Sequence, residues 1–462
     1  MNRYVDLIKQ TFDFPTKEFT LKDNKLHFND VDLMEIIEEY GTPLKLTYLP
    51  KISQSIQNAK KYFQNAIDEH EYKADYTYCY CTKSSHFSFV LDECLENGAH
   101  IETSSTFDIP LVRKLYEKGK ISKDTFIVCN GFKRELYKQY ISELLNDGFI
   151  NCIPVLDNLD EIDYYLEHVK VPFQVGIRIA ADEEPKSAFY TSRLGVRYRD
   201  IIKLYEEKIK PNPRVSLKML HFFINSGIRD TAYYWSELTR FIQKYVDLKK
   251  MVPTLDTMDI GGGWPIKTNV FFDYDYQYMA GQIVKNIKWM CDKNHTPEPH
   301  IFTEFGSYTV GESGAVLYSI LDEKLQNDKE LWYMIDGSFI TQLPDTWGLN
   351  QKYIMLAVNN WDETYQNISL GGLTCDGMDY YNSEAHQFNI YLPKIEKGRP
   401  QYIGFFHTGA YQESLGGYGG IQHCLIPAPK HVLIDRDENG KVTHRLFAGD
   451  QDEEGMLKTL GY

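Results

Sequence analysis

The 462-residue sequence contains no apolar run long enough to cross a bilayer, and its opening, MNRYVDLIKQTFDF, has no apolar core of signal-peptide length. It has no Lys/Arg cluster of the kind that tracks nucleic acid, and its formal charge is -15. No internal repeat or low-complexity segment stands out. The eight cysteines are scattered. The nearest pair, Cys79 and Cys81, would share one face of a strand, and no paired CxxC spacing offers a zinc site. These absences argue against a membrane protein, a nucleic-acid binder and a disulfide scaffold. They predict reduced thiols in a cytoplasm and no metal centre.

Core material, by contrast, is ample. Hydrophobic residues make up 43% of the chain and aromatics 14%, with 34 Tyr that can fill a core and still offer a hydroxyl. The length suggests two domains. The acidic balance mildly favours a cationic small-molecule partner.

From residue 46 to 310, short apolar runs alternate with amphipathic helices. The expected strands are 75–81, 100–103, 125–129, 152–156, 173–179, 216–222, 257–260 and 300–303. Helices are expected at 51–68 and 230–250, the latter with Leu238, Phe241, Ile242 and Tyr245 on one face. Eight strand–helix units predict a (β/α)8 TIM-type barrel, with a doubly wound open sheet as the alternative. After residue 311 the rhythm turns to strands, expected at 318–320, 331–335, 388–392, 402–406 and 431–435. Asn439-Gly440 marks a hairpin. A C-terminal β-rich domain is therefore expected over 311–462, joined by residues 1–45, in which 25–28 reads as a strand.

Functional groups of a parallel barrel belong at the carboxyl ends of its strands. Lys83 follows the first strand, Glu102 closes the second, and Asn130 and Lys133 follow the third. Arg178 ends the fifth, Asn225 and Ser226 follow the sixth, Gly261-Gly262-Gly263 follow the seventh, and Glu304 ends the eighth. A strand-end lysine is usually a solvated edge charge, but a desolvated one can condense with a carbonyl. Three glycines suit an oxyanion such as phosphate, or simply a tight loop. Glu304 could hold a heterocycle nitrogen, or be structural. Together, amine, anion cradle and carboxylate describe a pyridoxal-phosphate site better than a nicotinamide site, whose GxGxxG turn would follow the first strand.

The same residues resemble those of the barrel-fold pyridoxal-phosphate decarboxylases, a family that includes ornithine, diaminopimelate and biosynthetic arginine decarboxylases. The resemblance runs from YGTPLKLTYLP (40–50) through the C-terminal domain. YCTKSS is similar to the family's lysine segment, DIGGGWP to its glycine loop, and TEFGSY to its Glu-Pro-Gly-Arg segment. LTCDGMD (373–379) resembles its Cys-Asp-x-x-Asp motif, and GAYQE (409–413) its Gly-Ala-Tyr segment. Within the family, CNGFKR (129–134), SFITQLPDTWGLNQ (338–351) and GAYQESLGG followed by His423 resemble the arginine branch.

The resemblance implies that Lys83 carries the cofactor, with Glu102 and Arg178 close by, and that Glu304 pairs with the ring nitrogen. Ser226, Gly261, Gly262, Gly263 and Tyr411 would bind the phosphate. Cys375 would return a proton to Cα after CO₂ leaves, a thiol near neutrality suiting that role. Asp376, with Asp345 as a second candidate, would meet the distal cation, paired carboxylates matching the guanidinium fork. Lys83 and Cys375 would come from different subunits of a homodimer.

The implied activity is decarboxylation of L-arginine to agmatine, feeding polyamine and spermidine synthesis. Alternatives are ornithine, lysine, diaminopimelate or carboxynorspermidine as substrate, or a non-catalytic cofactor-binding homologue. A racemase would need a second base. Magnesium serves some arginine-branch members, but no ligand cluster in the sequence argues for it. Two positions depart from the family: Phe223 stands where relatives place a ring-stacking His, and Ser307 where they place an Arg. Arg193 and Arg229 are the candidate replacement cations.

Overall fold

The computed structural model describes residues 16–182, 191–270, 272–385 and 388–462. Residues 1–15 of the segment assigned to the β-rich domain lie outside the described residues. The chain forms two compact units, one drawn from Ser53–Pro265 and Tyr274–Thr309, the other from Met1–Ile52, Ile266–Asp273 and Val310–Tyr462. Among the described residues, no helix is long and apolar enough to cross a membrane.

The first unit is a barrel whose eight parallel strands are Tyr76–Cys81, His100–Thr103, Ile127–Cys129, Cys152–Leu156, Phe173–Arg178, Val215–His221, Thr257–Asp259 and His300–Phe305. The last pairs in parallel with the first, from Ile301 opposite Tyr76 to Phe305 opposite Tyr80, so the sheet closes and the open-sheet alternative falls. Each strand lies within a few residues of its expected place. Side chains alternate as a closed barrel demands: Cys79 joins Val128, Ile153, Val155, Met219 and Phe302 in an apolar cluster. The intervening Tyr78 and Tyr80 hydroxyls bond to Thr309 Oγ1 and the Ser85 carbonyl.

The second unit is β-rich. Its long strand Gly314–Gln326 pairs with Glu330–Ile335, Tyr402–Phe406 and Leu44–Tyr48. Leu44–Tyr48 also pairs, in parallel, with Lys430–Arg436. Leu44–Tyr48 is buried along its whole length and had no expected counterpart. The expected strand 25–28 is present and forms a hairpin with Phe19–Lys22, whose turn residues Asp23 and Asn24 both have positive φ. Phe19, Leu26 and Phe28 enter the same core as Phe405 and Phe406. The segment 266–273, expected in the barrel, belongs to this unit. At 439–440 only Gly440 takes positive φ. Its N–H bonds the Asp437 carbonyl while Asp437 N–H bonds Lys441 O, giving a longer, glycine-bulged turn than the two-residue hairpin expected.

Buried charge ties distant parts of this unit together. His407 Nε2 lies 2.8 Å from Glu18 Oε1, and its Nδ1 lies 2.8 Å from the Lys267 carbonyl. Lys267 Nζ is 3.4 Å from Glu18, and Lys51 Nζ is 2.9 Å from Glu312. Burial opposes charge on Glu18, but His407 (by charge and hydrogen bond), Lys51 and Lys267 hold its carboxyl at about 2. Burial likewise opposes charge on His407, yet Glu18 and Glu312 raise it above 6.5.

Glu18, lowered in the fold, stabilises it above its ordinary value of 4.5, and this is lost as pH falls through about 2. His407, raised in the fold, stabilises it below 6.5, and this is lost as pH rises through its folded value. The Glu18 shift corresponds to about 3 kcal/mol. Urea midpoints of wild type and Glu18→Gln should therefore differ most between about pH 5 and 6.5, converging in acid and narrowing in alkali. A difference that does not vary with pH would remove the ion pair from the stability of this unit.

Candidate active site

The first barrel strand ends in a single 3-10 turn, Thr82–Ser84, whose outer residues are buried. Lys83 between them is left facing the rim, its side chain 45% exposed. More than half of the side chain is covered, so the amine is partly withdrawn from solvent. Lys83 Nζ lies 3.1 Å from Glu102 Oε2, a carboxylate that is fully buried. Register places Glu102 there, since Cys81 and Glu102 are parallel neighbours on adjacent strands.

From this pair a hydrogen-bonded chain crosses the barrel mouth. Asn130 Nδ2 donates to Glu102 Oε1 at 3.0 Å and to Glu304 Oε1 at 2.6 Å. His221, closing the sixth strand, places Nε2 3.0 Å from Glu304 Oε2. Burial opposes charge on Glu304, but His221 (by charge and hydrogen bond), Lys83 by charge and Asp259 by a hydrogen bond hold it down at about 2. Asp259 behaves oppositely: burial, then the adjacent Glu304 charge, pushes its carboxyl well above the usual range. Of the two buried acids, Glu304 is the ionised one and Asp259 keeps its proton. His221 and Asp259 were missed in the sequence. The available signal was a titratable side chain inside an otherwise apolar strand end.

The glycine turn is fastened beside this chain. Asp259 Oδ1 accepts the Gly261 N–H at 2.8 Å, and Gly261 O accepts the Glu304 N–H at 2.9 Å. A Cβ on Gly262 would overlap the Glu304 carbonyl oxygen, so only glycine fits there. The Ile228 N–H donates to Gly263 O at 3.0 Å, which holds the Ser226-Gly227 segment against the turn. Trp264 follows directly, buried and stacked on Phe305 at 4.4 Å with its edge to Tyr308. Such ring pairs contribute about 0.5–1.5 kcal/mol each beyond burial. On the other side, Cys81 Sγ donates to the Glu304 carbonyl at 2.9 Å, and a Cβ on Gly306 would overlap Ser84 Oγ. Lys83, Glu304 and the triple glycine therefore share one mouth.

Arg178 lies on the same rim, its guanidinium 5.7 Å from the Phe223 ring centre. Burial lowers its affinity for its proton, against the charges of Asp157 and Glu304. Arg229 donates from Nε to the Ser226 carbonyl at 3.1 Å, while Arg193 is exposed but near enough to Arg178 to repel it. Ser307 opens the short helix Ser307–Val310. Lys133 does not face this site. It is buried 3.0 Å from Glu161 Oε1 and donates to the Val155 carbonyl, fastening its loop to the next strand. Among the described residues, Asn130 Oδ1, Arg178 Nε and His221 Nδ1 are buried with no hydrogen-bond partner.

The remaining expected residues lie in the β-rich unit. Tyr411, at φ 68, precedes the helix Gln412–Gly416. Gln412 Nε2 donates to Asp345 Oδ2 at 2.8 Å; burial raises the Asp345 carboxyl, partly offset by this bond. Asp376 is exposed, and its carboxylate accepts the Met378 N–H. Asp379, the last residue of the Cys-Asp-x-x-Asp motif, is buried and accepts from Phe339 N, Thr374 N and Thr374 Oγ1, pinning the 373–379 loop. Cys375 is exposed, its Sγ 3.5 Å from Cys424 Sγ. Hydrogen bonding and charge from Cys424 push the Cys375 thiol above 9.0, away from the near-neutral value expected.

The family described as pyridoxal-dependent decarboxylase, pyridoxal binding domain, matches residues 51–311. The biosynthetic arginine decarboxylase of Prochlorococcus marinus (strain AS9601) is 22% identical over 94% of this chain and 85% of its own. The chloroplastic arginine decarboxylase 1 of Arabidopsis thaliana is 21% identical over 95% of this chain and 79% of its own. Among solved structures, the biosynthetic arginine decarboxylase of Campylobacter jejuni superposes with a TM-score of 0.81 at 19% identity, covering 97% of this chain and 89% of that one. A diaminopimelate decarboxylase from M. jannaschii, in complex with L-lysine, gives 0.78 at 17% identity, over 95% and 96%. With a lysine, three buried acids and a glycine turn at one barrel mouth, and a family match over more than half its length, this chain belongs to the pyridoxal-dependent decarboxylases.

Proposed function

We propose that this protein decarboxylates L-arginine to agmatine and CO₂ with pyridoxal phosphate. The observation that carries the reading is the hydrogen-bonded chain Lys83–Glu102–Asn130–Glu304–His221 beside the triple glycine. The site fits the cofactor on its own evidence. It has an accessible amine for the aldehyde, a glycine turn that side chains would fill, an ionised acid for a ring nitrogen, and orphaned polar atoms. When bound, the cofactor supplies a ring that takes up the electron pair left by the departing carboxyl group.

Each residue has a separate task. Lys83 holds the cofactor through its amine, and Glu102 orients that amine. Glu304, kept ionised by His221 and steadied by Asn130, binds the protonated ring nitrogen. Asp259 keeps its proton and braces the glycine turn, which with Ser226 and Tyr411 binds the phosphate. Arg178 and Arg229 supply positive charge where Ser307 cannot, and Phe223 packs on the ring. Cys375 is the donor to Cα. Asp376 receives the guanidinium, with Asp345 as the second carboxylate.

The same reading takes the active form to be a homodimer. Trp347, Leu349, Leu373, Met378, Leu415 and Leu425 are exposed apolar side chains on the segments that carry Asp345, Cys375 and Tyr411. A second copy would cover them.

The reading is tested by CO₂ release from arginine, ornithine, lysine and diaminopimelate with pyridoxal phosphate added. Arginine should be turned over at least tenfold faster than the others, and Asp376→Asn should raise its KM about tenfold or more while the cofactor stays bound. Preference for diaminopimelate would refute the cationic subsite. An unchanged KM would remove Asp376 from it.

A further inference from the structure

No spacing in the sequence suggested a metal centre, yet the β-rich unit gathers three soft ligands from two distant segments. Cys375 lies in the 373–379 loop that Asp379 pins, and His423 and Cys424 lie in the turn His423–Leu425. The two sulfurs are 3.5 Å apart, and one ligand atom from each of the three residues lies within 4.8 Å of the other two. Cys424 and Leu425 take φ of 55 and 53, and in this left-handed turn the successive side chains of His423 and Cys424 share one face toward Cys375. All three are exposed in the single chain.

A tetrahedral zinc ion, with bonds of about 2.3 Å to sulfur and about 2.0 Å to nitrogen, holds neighbouring ligand atoms roughly 3.5–3.8 Å apart. The two sulfurs already meet that spacing, and side-chain rotation suffices for the imidazole. Two thiolates and an imidazole select a borderline-soft cation over magnesium or calcium.

We propose that Cys375, His423 and Cys424 form a binding site for a thiophilic divalent cation of the zinc type, with water as fourth ligand. Binding forms two metal–sulfur bonds and one metal–nitrogen bond and releases the two thiol protons to solvent, so affinity rises with pH. Resting on the reading of Cys375 as proton donor, the occupied site has no thiol proton to give to Cα. The ion therefore acts as a reversible inhibitor.

The test is titration of reduced holoenzyme with Co²⁺, followed by difference absorbance, then displacement by Zn²⁺. One cobalt per chain is expected, with thiolate-to-cobalt charge transfer and intense tetrahedral ligand-field bands. In Cys424→Ser the charge-transfer band should roughly halve and affinity fall at least tenfold. In His423→Ala affinity should fall while both thiolates still contribute. Absence of thiolate–cobalt absorbance in wild type, or bands unchanged in both variants, would overturn the site. Zn²⁺ should suppress turnover in wild type, and at least tenfold more of the ion should be needed in Cys424→Ser, each protein being compared with its own zinc-free rate. Cobalt bound as described with turnover unaffected would support the site and sink the catalytic reading of Cys375, so the two failures are told apart.

Discussion

Lys83→Ala is expected to lose both the visible absorbance of bound cofactor and decarboxylation, the latter by about three orders of magnitude or more. The amine is the one nucleophile at the barrel mouth that Glu102 orients, and no other lysine among those described takes its place. Lys133, the nearest candidate by sequence, is committed to Glu161 and the Val155 carbonyl inside the wall. Lys83→Arg separates charge from chemistry: it preserves an ion pair with Glu102, but a guanidinium cannot condense with the aldehyde. Both variants should fold like wild type, since the side chain is half exposed and its neighbours Thr82 and Ser84 do the packing. Retention of the absorbance band and of turnover in either variant would end the case for Lys83.

The second large effect concerns two inactive proteins that become active when mixed. Cys375→Ala should turn arginine over slowly, or divert it to an oxidised by-product through misplaced protonation. If Lys83 and Cys375 of one site come from different copies, co-refolding this variant with Lys83→Ala puts half the chains' partners in hybrid dimers. Each hybrid has one intact site of two, so about a quarter of wild-type activity should return. Activity no greater than the mean of the two variants would place both residues of a site on one chain. The exposed apolar side chains at 347, 349, 373, 378, 415 and 425 make dimerisation itself measurable by light scattering.

The barrel was legible because its strands are short apolar runs punctuated by helices, and the chemistry sits where those runs stop. Lys83, Glu102, Arg178, Glu304 and the triple glycine could be found from strand ends alone. Leu44–Tyr48 could not. A run buried on both faces and followed at once by a helix has no period of its own. His221 and Asp259 were hidden by the opposite circumstance, since polar side chains within strands look like interruptions until the register turns them toward Glu304. Lys133 misled because position at a rim says nothing about direction, and this side chain turns back into the wall. Cys375 and Cys424 are far apart along the chain, so only the fold could join them.

The central position of Leu44–Tyr48 has a consequence for biogenesis. Its two neighbours, Gly314–Gln326 and Lys430–Arg436, follow it far along the chain, so this segment must wait until both have been synthesised. At about 5–20 residues per second, that wait is roughly 20–80 s. The barrel's strands, all contained between Tyr76 and Phe305, are complete well before then. A nascent chain that has released Phe305 but not yet Gly314 should thus carry all eight barrel strands while the apolar Leu44–Tyr48 is still unpaired.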